Sequence, residues 1–388
     1  MPEGFASLVV VVIVAALAPI CVDLLPGRIR LPQVVLLLLA GILVGPQLLD
    51  LAHPADVSTF SSIGLGFLFL LAGYELDPAL LRAREGRLAA TSWVVSLVLA
   101  LVVLASLYAM NDTSSPVVIA IALTTTALGT LLPILRDNDM LGGRFGRYAF
   151  AAGAVGELGP ILAMAILLGS SGSLVELVAL VVFLLLALLA ARTPRLLERT
   201  RVGEIILERE HATSQTTLRI AIALLFVLLL ISDQLGFDSV LGAFVAGMLV
   251  RAWSPGEIKL FEVKLDAVGY GFFIPIFFVY SGMTLDVDSI VQNPLPLLVF
   301  LVIMLAVRGL PALFWYRHEL ATIERWQMVF ITATALPLLV ALTEVGVDNG
   351  RMTTATQASI IGAGVVSVLI FPILAIELQR RKNVLHDV

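Results

Sequence analysis

Glu157 stands in the run AFAAGAVGELGPILAMA, midway through an otherwise apolar stretch at 146–169. An ionisable side chain at such a depth is rare and marks a working site by default. Gly156 before it exposes backbone, and Pro160 after it removes the hydrogen bond to the Gly156 carbonyl. A carboxylate beside free carbonyl oxygens is a hard, oxygen-rich site suited to a proton or a small cation. Burial favours the protonated carboxyl, whereas a nearby cation favours the carboxylate. A group balanced between the two can trade H⁺ for a metal ion near neutral pH.

Two hydroxyl-rich pentapeptides accompany it. Residues 124–128 read TTTAL, and 332–336 read TATAL, 208 positions later. Both lie in apolar stretches, where hydroxyls are costly unless bonded. Thr124, Thr125, Thr126 and Gly129 surround the first, with Pro133 beyond; Thr332, Ala333 and Thr334 make up the second, with Pro337 beyond. Proline frees the carbonyl four residues back, that of Gly129 in one case and Ala333 in the other. We therefore expect helix breaks at Pro133, Pro160 and Pro337, with threonine oxygens and freed carbonyls joining Glu157 in one cation and proton site. Arg308, in AVRGLPALFWY, is the other deep charge. A guanidinium stays protonated and carries no proton, so its expected role is electrostatic or gating, against Glu157 or against the negative ends of broken helices.

The elements that must position these groups follow from composition. The chain is 59% hydrophobic and 14% charged, against about a quarter charged for a soluble domain. That is an all-α polytopic membrane protein. A span needs about 20 mostly apolar residues. Thirteen windows qualify: 5–25, 31–49, 58–76, 88–110, 115–135, 146–169, 173–192, 217–234, 236–253, 264–284, 294–316, 325–346 and 354–378. With the N-terminus outside and the C-terminus cytoplasmic, all of the 24 basic residues except Arg308 and Arg351 fall on the inner side, as the positive-inside rule requires. The acidic start, with Glu3 and no basic n-region, makes the first segment a retained span. The net charge of −5 points away from nucleic acid. The single cysteine, Cys21, excludes an internal disulfide, and Asp23, Glu75, Asp77, Asp233, Asp266 and Glu344 read as interfacial residues at span ends.

The pentapeptide is one of three echoes. AGILV at 40–44 returns as AGMLV at 246–250, and GLGFLFLLAGYELD at 64–77 resembles GYGFFIPIFFVYSGMTLD at 269–286. The offsets stay within 206–209 residues, or seven spans. Seven is odd, so the two six-helix halves are inverted, the signature of secondary transporters with sites at mid-membrane on broken helices. Opposed halves bring the breaks in spans five and twelve to one depth.

LPQVVLLLLAGILVGPQLLD, FLFLLAGYELDPALLR, TTTALGTLLPILRDNDMLGGRFGR, and FVAGMLVR followed by FFIPIFFVYSGMTLD together resemble the monovalent cation:proton antiporter superfamily, in its Kef-type branch of bacterial Na⁺(K⁺)/H⁺ exchangers. The resemblance implies an NhaA-like fold with crossed discontinuous helices, and a homodimer working as an elevator. It implies scaffold helices at 1–87 and 217–293, core helices at 88–169 and 294–378, a linker helix and loop at 170–216, and a cytoplasmic tail at 379–388. Glu157 aligns with the family's essential Asp, and Arg308 with its basic residue on span eleven. Gly156 stands where relatives carry Asp, Asn or Gln, so a single carboxylate implies electroneutral exchange of H⁺ for Na⁺ or K⁺ in the cell membrane. No cofactor is implied, and no nucleophile–base pair suggests an enzyme. The rival readings are a non-transporting membrane scaffold or sensor, and a sodium-coupled organic-anion symporter.

Overall fold

The computed structural model describes residues 4–24, 32–75, 83–108, 115–167, 215–235, 239–253 and 258–386. The expected seventh span and nearly all of the linker at 170–216 lie outside the described residues. Every described element is a helix or a turn. In chain order they are α1 (Phe5–Leu24), α2 (Gln33–Val44), α3 (Pro54–Glu75), α4 (Arg84–Tyr108), α5 (Pro116–Leu123), α6 (Leu128–Asp137) and α7 (Gly143–Leu167). Then come α8 (Thr216–Gln234), α9 (Ser239–Trp253), α10 (Ile258–Val268), α11 (Ile274–Thr284) and α12 (Val287–Gln292). Last are α13 (Leu295–Met304), α14 (Pro311–Trp315), α15 (Thr322–Ala333), α16 (Pro337–Asp348) and α17 (Thr354–His386). Seven helical stretches among the described residues are long and apolar enough to cross a membrane: Pro54–Glu75, Arg84–Leu107, Thr216–Gln234, Phe261–Thr284, Leu295–Trp315, Thr322–Asp348 and Thr354–Arg380. The chain is a multi-pass membrane protein.

The helices gather into two compact units. One comprises Met1–Ala15, Ala52–Leu76 and Ile161–Tyr280. Its centre is the close crossing of α3 and α9. A Cβ at Gly73 would lie 2.1 Å from the Phe244 carbonyl oxygen, and one at Gly247 would lie 2.0 Å from that of Leu70. Only glycine permits so near an approach of two backbones.

The other unit comprises Ala16–Leu51, Asp77–Pro160 and Ser281–Val388, and it holds all the residues singled out for chemistry. Two of its spans are interrupted. Helix stops at Leu123 and resumes at Leu128; it stops again at Ala333 and resumes at Pro337. Two π-helical turns occur among the described residues, Gly269–Phe273 in the first unit and Leu305–Gly309 in the second. Such turns often accompany functional positions, and the second one carries Arg308.

Two proline expectations need correction. Pro160 does not break its helix: α7 runs unbroken from Gly143 to Leu167. The carbonyl it frees, that of Gly156, accepts the Thr126 N–H at 3.0 Å, and a re-satisfied carbonyl lets a membrane helix tolerate proline. Pro133 likewise lies inside α6, and the interruption precedes it at 124–127. Pro337 is the first residue of α16, where its missing N–H has no helical partner to lose.

Candidate functional site

The two interruptions cross in direct contact. Thr125, Thr126 and Ala127 lie outside helix, as do residues 334–336. The Ala127 N–H donates to the Thr334 carbonyl at 2.8 Å, and the Thr126 hydroxyl donates to the Thr332 carbonyl at 2.7 Å. Interrupted backbone inside a bilayer must find such partners or line a cavity. Thr124, Thr125, Thr126, Thr332, Ala333 and Thr334 are all buried.

The threonines divide sharply in use. Thr124 and Thr125 donate back to the Ile121 and Ala122 carbonyls at 2.9 and 2.8 Å. Thr332 and Thr334 donate back to Met328 and Phe330, both at 2.8 Å. These are the local side-chain-to-backbone bonds open to any helical threonine. Thr126 alone of the five spends its hydroxyl on the opposite interruption.

Glu157 projects from α7 onto the start of α6. Its Oε1 accepts from the backbone N–H groups of Leu128 at 3.0 Å and Gly129 at 3.4 Å. The first N–H groups of a helix have no partner within it and carry partial positive charge. Glu157 is thus an N-terminal cap delivered from another helix. The carboxylate is half-buried, and Gly129 beside it is exposed, with open space where a Cβ would point. The site therefore holds a carboxylate steadied by a helix N-terminus, and it is open on the Gly129 side.

Arg308 completes the cluster and is only 2% exposed. Its Nε donates to Thr126 Oγ1 at 3.1 Å, and a terminal nitrogen donates to the Ala152 carbonyl at 3.1 Å. Both acceptors are neutral oxygens. Thr126 thereby touches the α7 backbone, the second interruption and the guanidinium together.

Three supporting residues escaped the sequence reading. Trp93 Nε1 donates to the Thr124 carbonyl at 3.2 Å, at the end of α5. Ser367 of α17 accepts from the Ala335 N–H at 3.2 Å and sits 3.1 Å from the Ala335 carbonyl oxygen, bracing the second interruption. Glu344, read as an interfacial residue, is instead buried and accepts from Gln357 Nε2 at 2.7 Å. Each pairing joins a side chain to a group on a different element, and no local spacing announces it.

Over 400 aligned residues the chain is 26% identical to a candidate Na(+)/H(+) antiporter, YjbQ of Bacillus subtilis; the match takes in 97% of this chain, which spans 64% of the length of that relative. It is 26% identical to the Na(+)/H(+) antiporter NhaS4 of Synechocystis, covering 78% of each. Among solved structures, the sodium proton antiporter MjNhaP1 of Methanocaldococcus jannaschii at pH 8 superposes with a TM-score of 0.62 at 18% identity, covering 96% of this chain and 95% of that one. That likeness is one of fold. The profile of the transmembrane sodium/hydrogen exchanger family matches residues 12–376, nearly the whole chain, and the protein belongs to that family.

Proposed function

We propose that this protein is a secondary transporter that exchanges H⁺ for Na⁺ or K⁺, one for one, at Glu157. The observation that carries the reading is the Glu157 carboxylate bound across helices to the N-terminus of an interrupted helix, with the site open at Gly129. The names of its relatives supply the substrate class.

The chemistry follows from electrostatics. The α6 N-terminus holds the carboxylate in place while leaving oxygen lone pairs for a proton or a metal ion. H⁺ and a monovalent cation compete for that one negative charge. Either neutralises it. A bare carboxylate is expensive to move through an apolar layer, so an unloaded core stays put and leak is suppressed. Within this reading thirteen spans form two inverted halves, N-terminus outside. The helices of 88–169 and 294–378 carry the ion past a scaffold of 1–87 and 217–293, in a homodimer in the cell membrane.

The test is direct. Purified protein in proteoliposomes, with a pH dye trapped inside, should acidify or alkalinise the lumen when Na⁺ or K⁺ is added, at rates indifferent to an imposed membrane potential. Glu157→Gln should lower the rate at least 100-fold while the melting temperature stays close to that of wild type. Retained exchange in that variant rejects the site. Exchange driven by the potential rejects the one-for-one stoichiometry, and no ion-dependent signal from wild type leaves a scaffold as the reading.

A further inference from the structure

The position before Glu157 is glycine, and the structure gives a reason for it. A Cβ built on Gly156 would lie 2.4 Å from Thr126 Oγ1, 2.5 Å from Thr126 Cβ and 2.7 Å from a terminal nitrogen of Arg308. Real Cβ atoms do not approach other atoms so closely. The volume where any side chain at 156 would begin is therefore already filled by the guanidinium and the Thr126 side chain.

That volume is built for a guanidinium. Thr126 Oγ1 and the Ala152 carbonyl receive two of its N–H groups, each at 3.1 Å. The planar fork of arginine can meet two such separated oxygens at once, which an ammonium point charge does not reproduce. Thr126 is fixed in turn by its hydroxyl bond to Thr332 at 2.7 Å and its N–H bond to the Gly156 carbonyl at 3.0 Å. It cannot retreat from a new Cβ without loosening the crossing.

We infer that Gly156 and Arg308 form one specificity-determining unit: the missing side chain leaves a guanidinium seat beside the ion carboxylate, and the resident arginine occupies that seat in place of a second exchangeable cation. Arg308 is a positioning and charge-setting residue in this account, and Glu157 remains the group that trades ions. The inference rests on the exchanger reading for its function and on geometry alone for the seat.

Chemical rescue tests it. Arg308→Ala empties the seat, and exchange in proteoliposomes should fall at least tenfold. Guanidinium chloride at low millimolar concentration, far below denaturing levels, should then restore the rate several-fold. In Gly156→Ala/Arg308→Ala the methyl group takes up the seat, and guanidinium should restore nothing. Gly156→Ala alone should lose at least tenfold in rate and bind the transported cation more weakly. Guanidinium should also raise the melting temperature of Arg308→Ala and leave that of the double variant unchanged, a readout that needs no transport. Equal rescue or equal stabilisation of both variants overturns the seat, as does a wild-type rate and cation affinity in Gly156→Ala. Wild type that exchanges nothing, with selective stabilisation intact, overturns the transport reading and leaves the seat standing.

Discussion

The two interrupted helices share a pentapeptide and differ in what they do with it. In the first, the third residue of the pentapeptide, Thr126, sends its hydroxyl across to Thr332. Its counterpart in the second, Thr334, sends its hydroxyl back to Phe330 in its own helix. The first interruption opens onto a helix N-terminus capped by Glu157. The second opens onto one that begins with Pro337, its preceding backbone held by Ser367. One interruption presents its helix N-terminus to Glu157; the other supports it across the crossing. Sequence symmetry thus specifies where helices stop, while the chemistry at each stop is set by what a neighbouring helix presents there.

Thr126→Ala against Thr334→Ala is the sharpest way to break that contrast. Loss of the Thr126 hydroxyl leaves buried Arg308 Nε and the Thr332 carbonyl without a partner, which costs about 1–3 kcal/mol. Exchange should fall about tenfold or more, with a lower melting temperature. Thr334→Ala gives up a bond within its own turn, of the kind that contributes little, and exchange should stay within about twofold of wild type. Equal losses in the two variants would show that both interruptions face the ion.

The braces come next. Ser367→Ala strips the Ala335 N–H of its partner in a buried setting and should cost about 1–2 kcal/mol by melting. Trp93→Phe keeps the ring but removes the donor to the Thr124 carbonyl, for about 1 kcal/mol. If the second interruption is chiefly structural, Ser367→Ala should lower stability more than it lowers transport per folded molecule. A larger effect on transport would make Ser367 part of the ion path.

Much of this is legible in the sequence, for a physical reason. Hydroxyls and proline in a membrane span are expensive, so TTTAL and TATAL stand out, as do Glu157 and Arg308. What failed was the location of the first interruption. Proline removes a single helical bond, and the sequence does not reveal whether another group replaces it. At Pro160 the Thr126 N–H takes up the freed Gly156 carbonyl, so the helix continues. The interruption falls instead where N–H groups of Thr126 and Ala127 have better partners on other helices. In the sequence Gly156 is a missing side chain; that Thr126 and Arg308 fill the space beside it is held in three-dimensional proximity and in no spacing along the chain. Glu344 was misplaced for the same reason, because Gln357, which satisfies it, lies on the following helix.

The smallest predicted effect concerns how the second interrupted helix is tied down at its far end. Glu319 lies just before α15, its side chain 5% exposed. It accepts from the Tyr148 hydroxyl at 2.7 Å and from Arg84 and Arg144. The Tyr148 hydrogen bond, and then that of Arg144, hold its carboxyl below the usual carboxylate range. A carboxyl depressed in the folded state stabilises at pH values above its unfolded pKa, about 4.3 for glutamate, and that stabilisation is lost as pH falls through the folded value. Glu319→Gln should therefore lower the melting temperature at pH 7, and the gap to wild type should begin to shrink as pH falls below about 4.3 and vanish once it has passed the folded value. Both arginines are more than half exposed, so salt should narrow the gap at neutral pH as well. The corresponding end of the first interrupted helix is held by a backbone bond, from the Ser115 N–H to the Arg351 carbonyl at 2.7 Å, and involves no titrating group. A gap that persists unchanged through pH 3 would mean that Glu319 serves by shape, and the two interrupted helices would then be anchored alike.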